Sequence, residues 1–116
     1  MKFVGVSRMF SLQNEDQYNT IGLFWDEMSL LYGMENICGL GYKWQDGMIY
    51  YAIGLIDGNI ANYNFEIELP DNGWIVVSGE TDNLKDIYNE IYQDGPLKYE
   101  IETFTLNGKC IIKYYR

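Results

Sequence analysis

Lys98–Arg116, KYEIETFTLNGKCIIKYYR, reads as two strands joined by Asn107-Gly108. That dipeptide suits a type I′ turn, which needs positive φ at both centres and whose twist matches a two-stranded hairpin. Alternation puts Glu100, Glu102, Phe104 and Leu106 on one face of the first strand, and Tyr99, Ile101, Thr103 and Thr105 on the other. A carboxylate set beside an aromatic and an aliphatic on a half-buried strand is costly unless something pairs with it. One of the two glutamates is therefore the candidate functional group.

Upstream of this hairpin, Thr81 or Asp82 is placed to cap a helix carrying Leu84, Ile87, Tyr88 and Ile91 at helical spacing, with Gly95-Pro96 as its stop. Before it, Trp74–Ser78 is an apolar strand and Pro70-Asp71-Asn72-Gly73 a turn. Phe65–Leu69 alternates as a short edge strand with Glu66 and Glu68 facing water, and Asp57–Asn64 is a connector. Going further back, Ile37–Trp44 and Met48–Ile56 form a hairpin around Gln45-Asp46-Gly47, with Cys38, Leu40, Tyr42 and Trp44 on one face. Gly39, Gly41 and Gly54 thin these strands, as happens where another backbone or a ligand comes close. A helix ends near Tyr32, its apolar stripe formed by Ile21, Phe24, Trp25, Met28, Leu31 and Tyr32, with Asn14 and Asn19 as possible caps and Gly33 as stop. Phe3–Met9 is the first strand.

The order is strand, helix, hairpin, then strand, helix, hairpin. This predicts an α+β fold of duplicated β-α-β-β units: an antiparallel sheet with two helices packed on it and a ligand cleft between the halves. The 116 residues suit one domain, 1–116, and a 47% hydrophobic content supplies its core.

Charge and composition exclude several functions. The net charge of −9, with 8 Lys+Arg, disfavours direct nucleic-acid binding and anionic membranes, and allows cationic ligands or a basic protein partner. No apolar run spans a bilayer and no export signal is visible, so the chain reads as cytoplasmic. Cys38 and Cys110 lack metal-ligand spacing and there is no His, so neither a zinc site nor Ser-His-Asp or Cys-His chemistry is expected, and no cofactor. The 11 Tyr exceed what a core of this size usually needs, and surplus aromatics often line binding surfaces.

Six short segments, in order, carry a resemblance. They are Val4-Gly5-Val6, Phe24-Trp25-Asp26-Glu27-Met28, Cys38-Gly39-Leu40, Tyr51-Ala52-Ile53-Gly54, Leu69-Pro70-Asp71-Asn72-Gly73-Trp74 and Ile101-Glu102-Thr103-Phe104. Together they resemble the GyrI-like superfamily, the effector-binding domains of bacterial AraC-type and multidrug regulators. Asp94-Gly95-Pro96 departs from the family pattern after the second helix, and the last turn is shortened to Asn107-Gly108.

The resemblance implies a stand-alone binding domain for lipophilic, cationic aromatic compounds, with no DNA-binding segment of its own. Glu102, which keeps Phe104 two residues on, becomes the electrostatic anchor, with Glu100 as the alternative register. Trp25, Tyr42, Trp44, Tyr51 and Trp74 become the candidate walls. Ranked second is hydrolysis of strained, cyclopropane-like electrophiles by the same Glu102. Third comes a protein-binding inhibitor such as a gyrase modulator.

Overall fold

The computed structural model describes residues 1–116. Seven strands form one antiparallel sheet: β1 (Lys2–Ser11), β2 (Cys38–Gln45), β3 (Met48–Ile56), β4 (Phe65–Glu68), β5 (Ile75–Glu80), β6 (Tyr99–Phe104) and β7 (Lys109–Tyr115). Helix α1 (Gln17–Tyr32) links β1 to β2, and α2 (Leu84–Gln93) links β5 to β6. The spatial order is β4-β1-β3-β2-β6-β7-β5. Removing β4 leaves β1-β3-β2 facing β6-β7-β5. These are two copies of one strand-helix-hairpin unit, joined where β2 pairs with β6. The α+β class and the duplicated arrangement expected from the sequence are what is observed.

Both helices lie on one face of the sheet. The stripe on α1 buries Phe24, Trp25 and Met28 against Val4, Tyr51 and Ile53, while α2 buries Tyr88 and Ile91 against Cys110, Ile112 and Tyr114. Phe104 touches both clusters, at the seam of the two halves.

The other face closes on itself. Laid flat, β4 and β5 would stand about 29 Å apart, from six strand spacings of about 4.8 Å. Their connection, Leu69–Trp74, reaches only about 24 Å at full stretch. The sheet therefore curls, and inside the curl Phe3, Cys38, Leu40, Ala52, Leu69 and Ile101 form a second core with Tyr42, Phe65, Trp74 and Tyr99 against it. The N-terminal amine fastens the connection, donating to the Leu69 carbonyl at 2.9 Å and to Asp71.

Local chemistry differs from expectation at the turns. Asp46 and Gly47 both have positive φ, 54° and 73°, so the two-residue type I′ geometry belongs to the β2–β3 hairpin. In the β6–β7 connection only Gly108 is left-handed, at 82°, and the strands pair from Phe104↔Cys110 inward. The Asn107-Gly108 loop is therefore wider than a type I′ turn.

Neither helix uses the expected caps. α1 starts at Gln17 behind a 3-10 turn over Gln13–Glu15 that holds Asn14, and α2 follows a 3-10 turn over Thr81–Asn83; no cap side chain bonds to either helix. Gly33 ends α1 as expected, its N–H reaching the Ser29 carbonyl at 2.9 Å. Cys38 and Cys110 are buried free thiols, and burial pushes Cys38 up to about 11. No helix is long and apolar enough to cross a membrane.

Candidate functional site

Between the helices, over the seam of the sheet, lies a cavity of about 750 Å³. Its floor is β3 and β6, with Ile49 and Tyr51 from one and Glu100, Glu102 and Phe104 from the other. Tyr18, Ile21 and Trp25 of α1 form one wall, and Leu84, Tyr88 and Tyr92 of α2 form the opposite one. Trp44 also lines the cavity. The lining holds four carboxylates, those of Asp26, Asp82, Glu100 and Glu102, and no Lys or Arg.

Both glutamates face this cavity, because residues two apart on a strand share a face. The choice between Glu100 and Glu102 thus resolves into both. Each is 4% exposed, and they are the only buried charged residues of the chain. Glycines make room for them. Gly39 lies opposite Glu102 and Gly41 opposite Glu100 across β2 and β6. A Cβ on Gly41 would stand 2.8 Å from Glu100 Oε1, and one on Gly39 would overlap the Tyr51 hydroxyl.

The two acids are held differently. Glu102 accepts a short hydrogen bond from the Tyr51 hydroxyl on one oxygen and one from Tyr88 at 2.7 Å on the other. The Tyr51 hydroxyl in turn accepts from Trp25 Nε1–H at 2.8 Å. Glu100 accepts one bond, from the Tyr92 hydroxyl at 2.9 Å.

Burial is the first cause that raises both carboxyls above the ordinary range; for Glu100 the neighbouring Glu102 charge adds to it, and the group reaches about 8. The two tyrosine donors pull Glu102 back down. Two uncompensated charges this close in a poorly solvated space are expensive. The charge is better held on Glu102, which has two tyrosine donors, and the proton on Glu100, which has one and is pushed up to about 8. Burial, reinforced by these carboxylates, also raises Tyr51, Tyr88 and Tyr92, which stay neutral donors.

Of the walls expected from sequence, Trp25, Trp44 and Tyr51 line the cavity with Glu102. Tyr42 and Trp74 do not. The cause for Tyr42 is a bulge: the β2–β3 register slips between Gly41 and Lys43, so Tyr42 and Trp44 point to opposite faces. Tyr42 stacks on Phe65 at 4.4 Å between ring centroids and hydrogen-bonds Ser7 on the curled face. Trp74 packs with Tyr99 and Tyr115 there, its indole N–H bonded to the Pro70 carbonyl at 2.7 Å. Tyr18, Tyr88, Tyr92 and Phe104 were not among the expected walls. Their signal was present in α2, where Tyr88 and Tyr92 stand four apart and stack at 5.7 Å.

Two polar atoms of the lining residues, Gln17 Oε1 and Thr81 Oγ1, are buried without a hydrogen-bond partner. A ligand donor is one way to satisfy such atoms.

No family model matches this chain, and none of the curated proteins matches it. Among solved structures, the fold matches that of SAV2435 bound to tetraphenylphosphonium, with a TM-score of 0.68 at 14% identity, covering 98% of this chain and 87% of the other. The similarity extends over nearly the whole chain and is a similarity of fold.

Proposed function

We propose that this protein is a GyrI-like effector-binding protein whose residues 1–116 act as one unit to bind lipophilic aromatic cations, with Glu102 as the charged anchor. The observation that carries this reading is a pair of buried carboxylates in an aromatic cavity that holds no cationic side chain. A carboxylate so placed lacks a counter-charge, and a cationic ligand supplies one. Aromatic faces add about 0.5–2 kcal/mol each through cation–π attraction. Trp25, Trp44, Tyr51, Tyr88 and Phe104 are within the lining to provide them. Support also comes from the ligand named for SAV2435, tetraphenylphosphonium, a lipophilic aromatic cation.

The hydrogen bonding of Glu102 favours binding over hydrolysis. Both its oxygens accept from tyrosines, which lowers their basicity and so their strength as a general base. Titration of the protein with tetraphenylphosphonium, followed by calorimetry and Trp fluorescence, tests the reading. We expect saturable binding that Glu102→Gln weakens by about tenfold or more, the loss of one charge-assisted contact. Equal binding by the two proteins sinks the assignment of Glu102.

A further inference from the structure

A single carboxylate is enough to anchor a monocation, yet the cavity buries two on one strand face, and the second has its own tyrosine partner. We propose that Glu100 and Glu102 together form a site for flat, dicationic aromatic ligands. This rests on the binding function proposed above and narrows its ligand class.

The geometry carries it. Alternate residues of a strand lie about 6.6–6.8 Å apart, so the carboxylates present two anionic points in line on the floor of the cavity. The groups that face them leave the second charge unmatched. From α1 come Tyr18 and, at the rim, Asp26; from α2 and the turn before it Tyr88, Tyr92 and Asp82; from β3 Tyr51. From β7 come Cys110, whose thiol is raised by burial, and Tyr114. None of these is a cation. The nearby cations are engaged elsewhere. Arg116 donates to the Ile91 and Gly95 carbonyls at 2.7 Å, Lys109 pairs with Glu80, and Lys43 lies over the Tyr50 ring.

With an empty cavity no cation balances the pair, and burial raises both carboxyls, which favours one negative charge and one shared proton. A monocation balances that charge. A dication balances both carboxylates only if the proton departs to solvent, so its affinity is linked to pH where that of a monocation is linked less. A carboxyl that titrates near neutrality makes the exchange cheap under physiological conditions.

Paraquat, the N,N′-dimethyl dication of bipyridine, and N-methyl phenylpyridinium, its monocationic near-isostere, separate the two cases. Calorimetry in buffers of different ionisation enthalpy reads the protons released. We expect paraquat to release about one proton and to bind up to about tenfold more tightly per unit of pH below the Glu100 titration. The phenylpyridinium profile is shallower. Glu100→Gln, which mimics the protonated acid in shape, removes the paraquat slope. Tyr92→Phe deletes the one donor to Glu100 and moves the paraquat profile to higher pH. Parallel profiles for the two ligands, or an unchanged paraquat slope in Glu100→Gln, overturn the dication site while leaving the monocation function standing. If neither these ligands nor tetraphenylphosphonium binds, the proposed function itself falls.

Discussion

The Tyr51 hydroxyl occupies the space that a side chain on Gly39 would fill. Tyr51 reaches from β3 across β2 to Glu102 on β6, and the missing Cβ is its passage. Gly39→Ala should therefore disturb the site as well as the sheet. We expect a loss of about 1–3 kcal/mol in urea unfolding, the usual range for overpacking a filled core, together with weaker tetraphenylphosphonium binding. Gly41→Ala should cost less, because its Cβ would meet Glu100 Cγ and Oε1 at 2.8 Å, a milder approach than the overlap at Gly39. Gly39→Ala as stable as wild type would show that Tyr51 does not depend on that passage.

The two tyrosines on Glu102 should differ in effect. Tyr88→Phe removes one donor, and Tyr51→Phe removes one donor and also leaves Trp25 Nε1–H without its acceptor. A buried group left unpaired costs about 1–3 kcal/mol, so Tyr51→Phe should be the more destabilising change. Both should raise the Glu102 carboxyl, since both donors hold it down. Urea midpoints and carboxyl-carbon NMR titrations check the two statements separately.

Stability should fall as pH rises towards 8. The Glu100 carboxyl moves from its ordinary 4.5 to about 8 in the folded chain. Across that window the folded state keeps a proton that the unfolded state has lost, so the stabilisation is complete below the lower value and gone above the upper one. Glu102, also raised, acts in the same direction. Glu100→Gln should flatten the pH dependence and be relatively more stable at the alkaline end. The difference between variant and wild type isolates this effect from repulsion within the −9 surface. A pH slope unchanged in Glu100→Gln would remove Glu100 as its source.

The tryptophans give a fourth test. Trp44 lines the cavity, and Trp74 packs on the curled face. Trp44→Ala should weaken cation binding by about 0.5–2 kcal/mol, the worth of one aromatic face. Trp74→Ala should spare binding and cost about 3 kcal/mol of stability, towards the low end for truncating a packed aromatic. Isothermal calorimetry and thermal unfolding distinguish the two outcomes.

Much of this was legible along the chain. The stripe on α1 and the alternation in β6 are periodicities that each residue displays in one dimension, so the elements and their duplicated order followed from them. The pairing of two buried acids was half legible. Alternation placed Glu100 and Glu102 on one face, but a one-acid pattern favoured choosing between them. The two tyrosine walls from α2 were hidden because Tyr88 reads equally well as core.

What the sequence determined by itself is the pattern: which residues share a strand face or a helix stripe, and that a carboxylate would be carried into apolar surroundings. Tertiary structure decided which faces meet. The bulge after Gly41 turned Trp44 into the cavity and left Tyr42 behind, and the short Leu69–Trp74 connection curled the sheet and took Trp74 to the far side. A slip of one residue in register reverses every side chain beyond it, and a connection too short for a flat sheet bends the whole of it. Both are properties of strands held against one another, and so they appear only when the chain has folded.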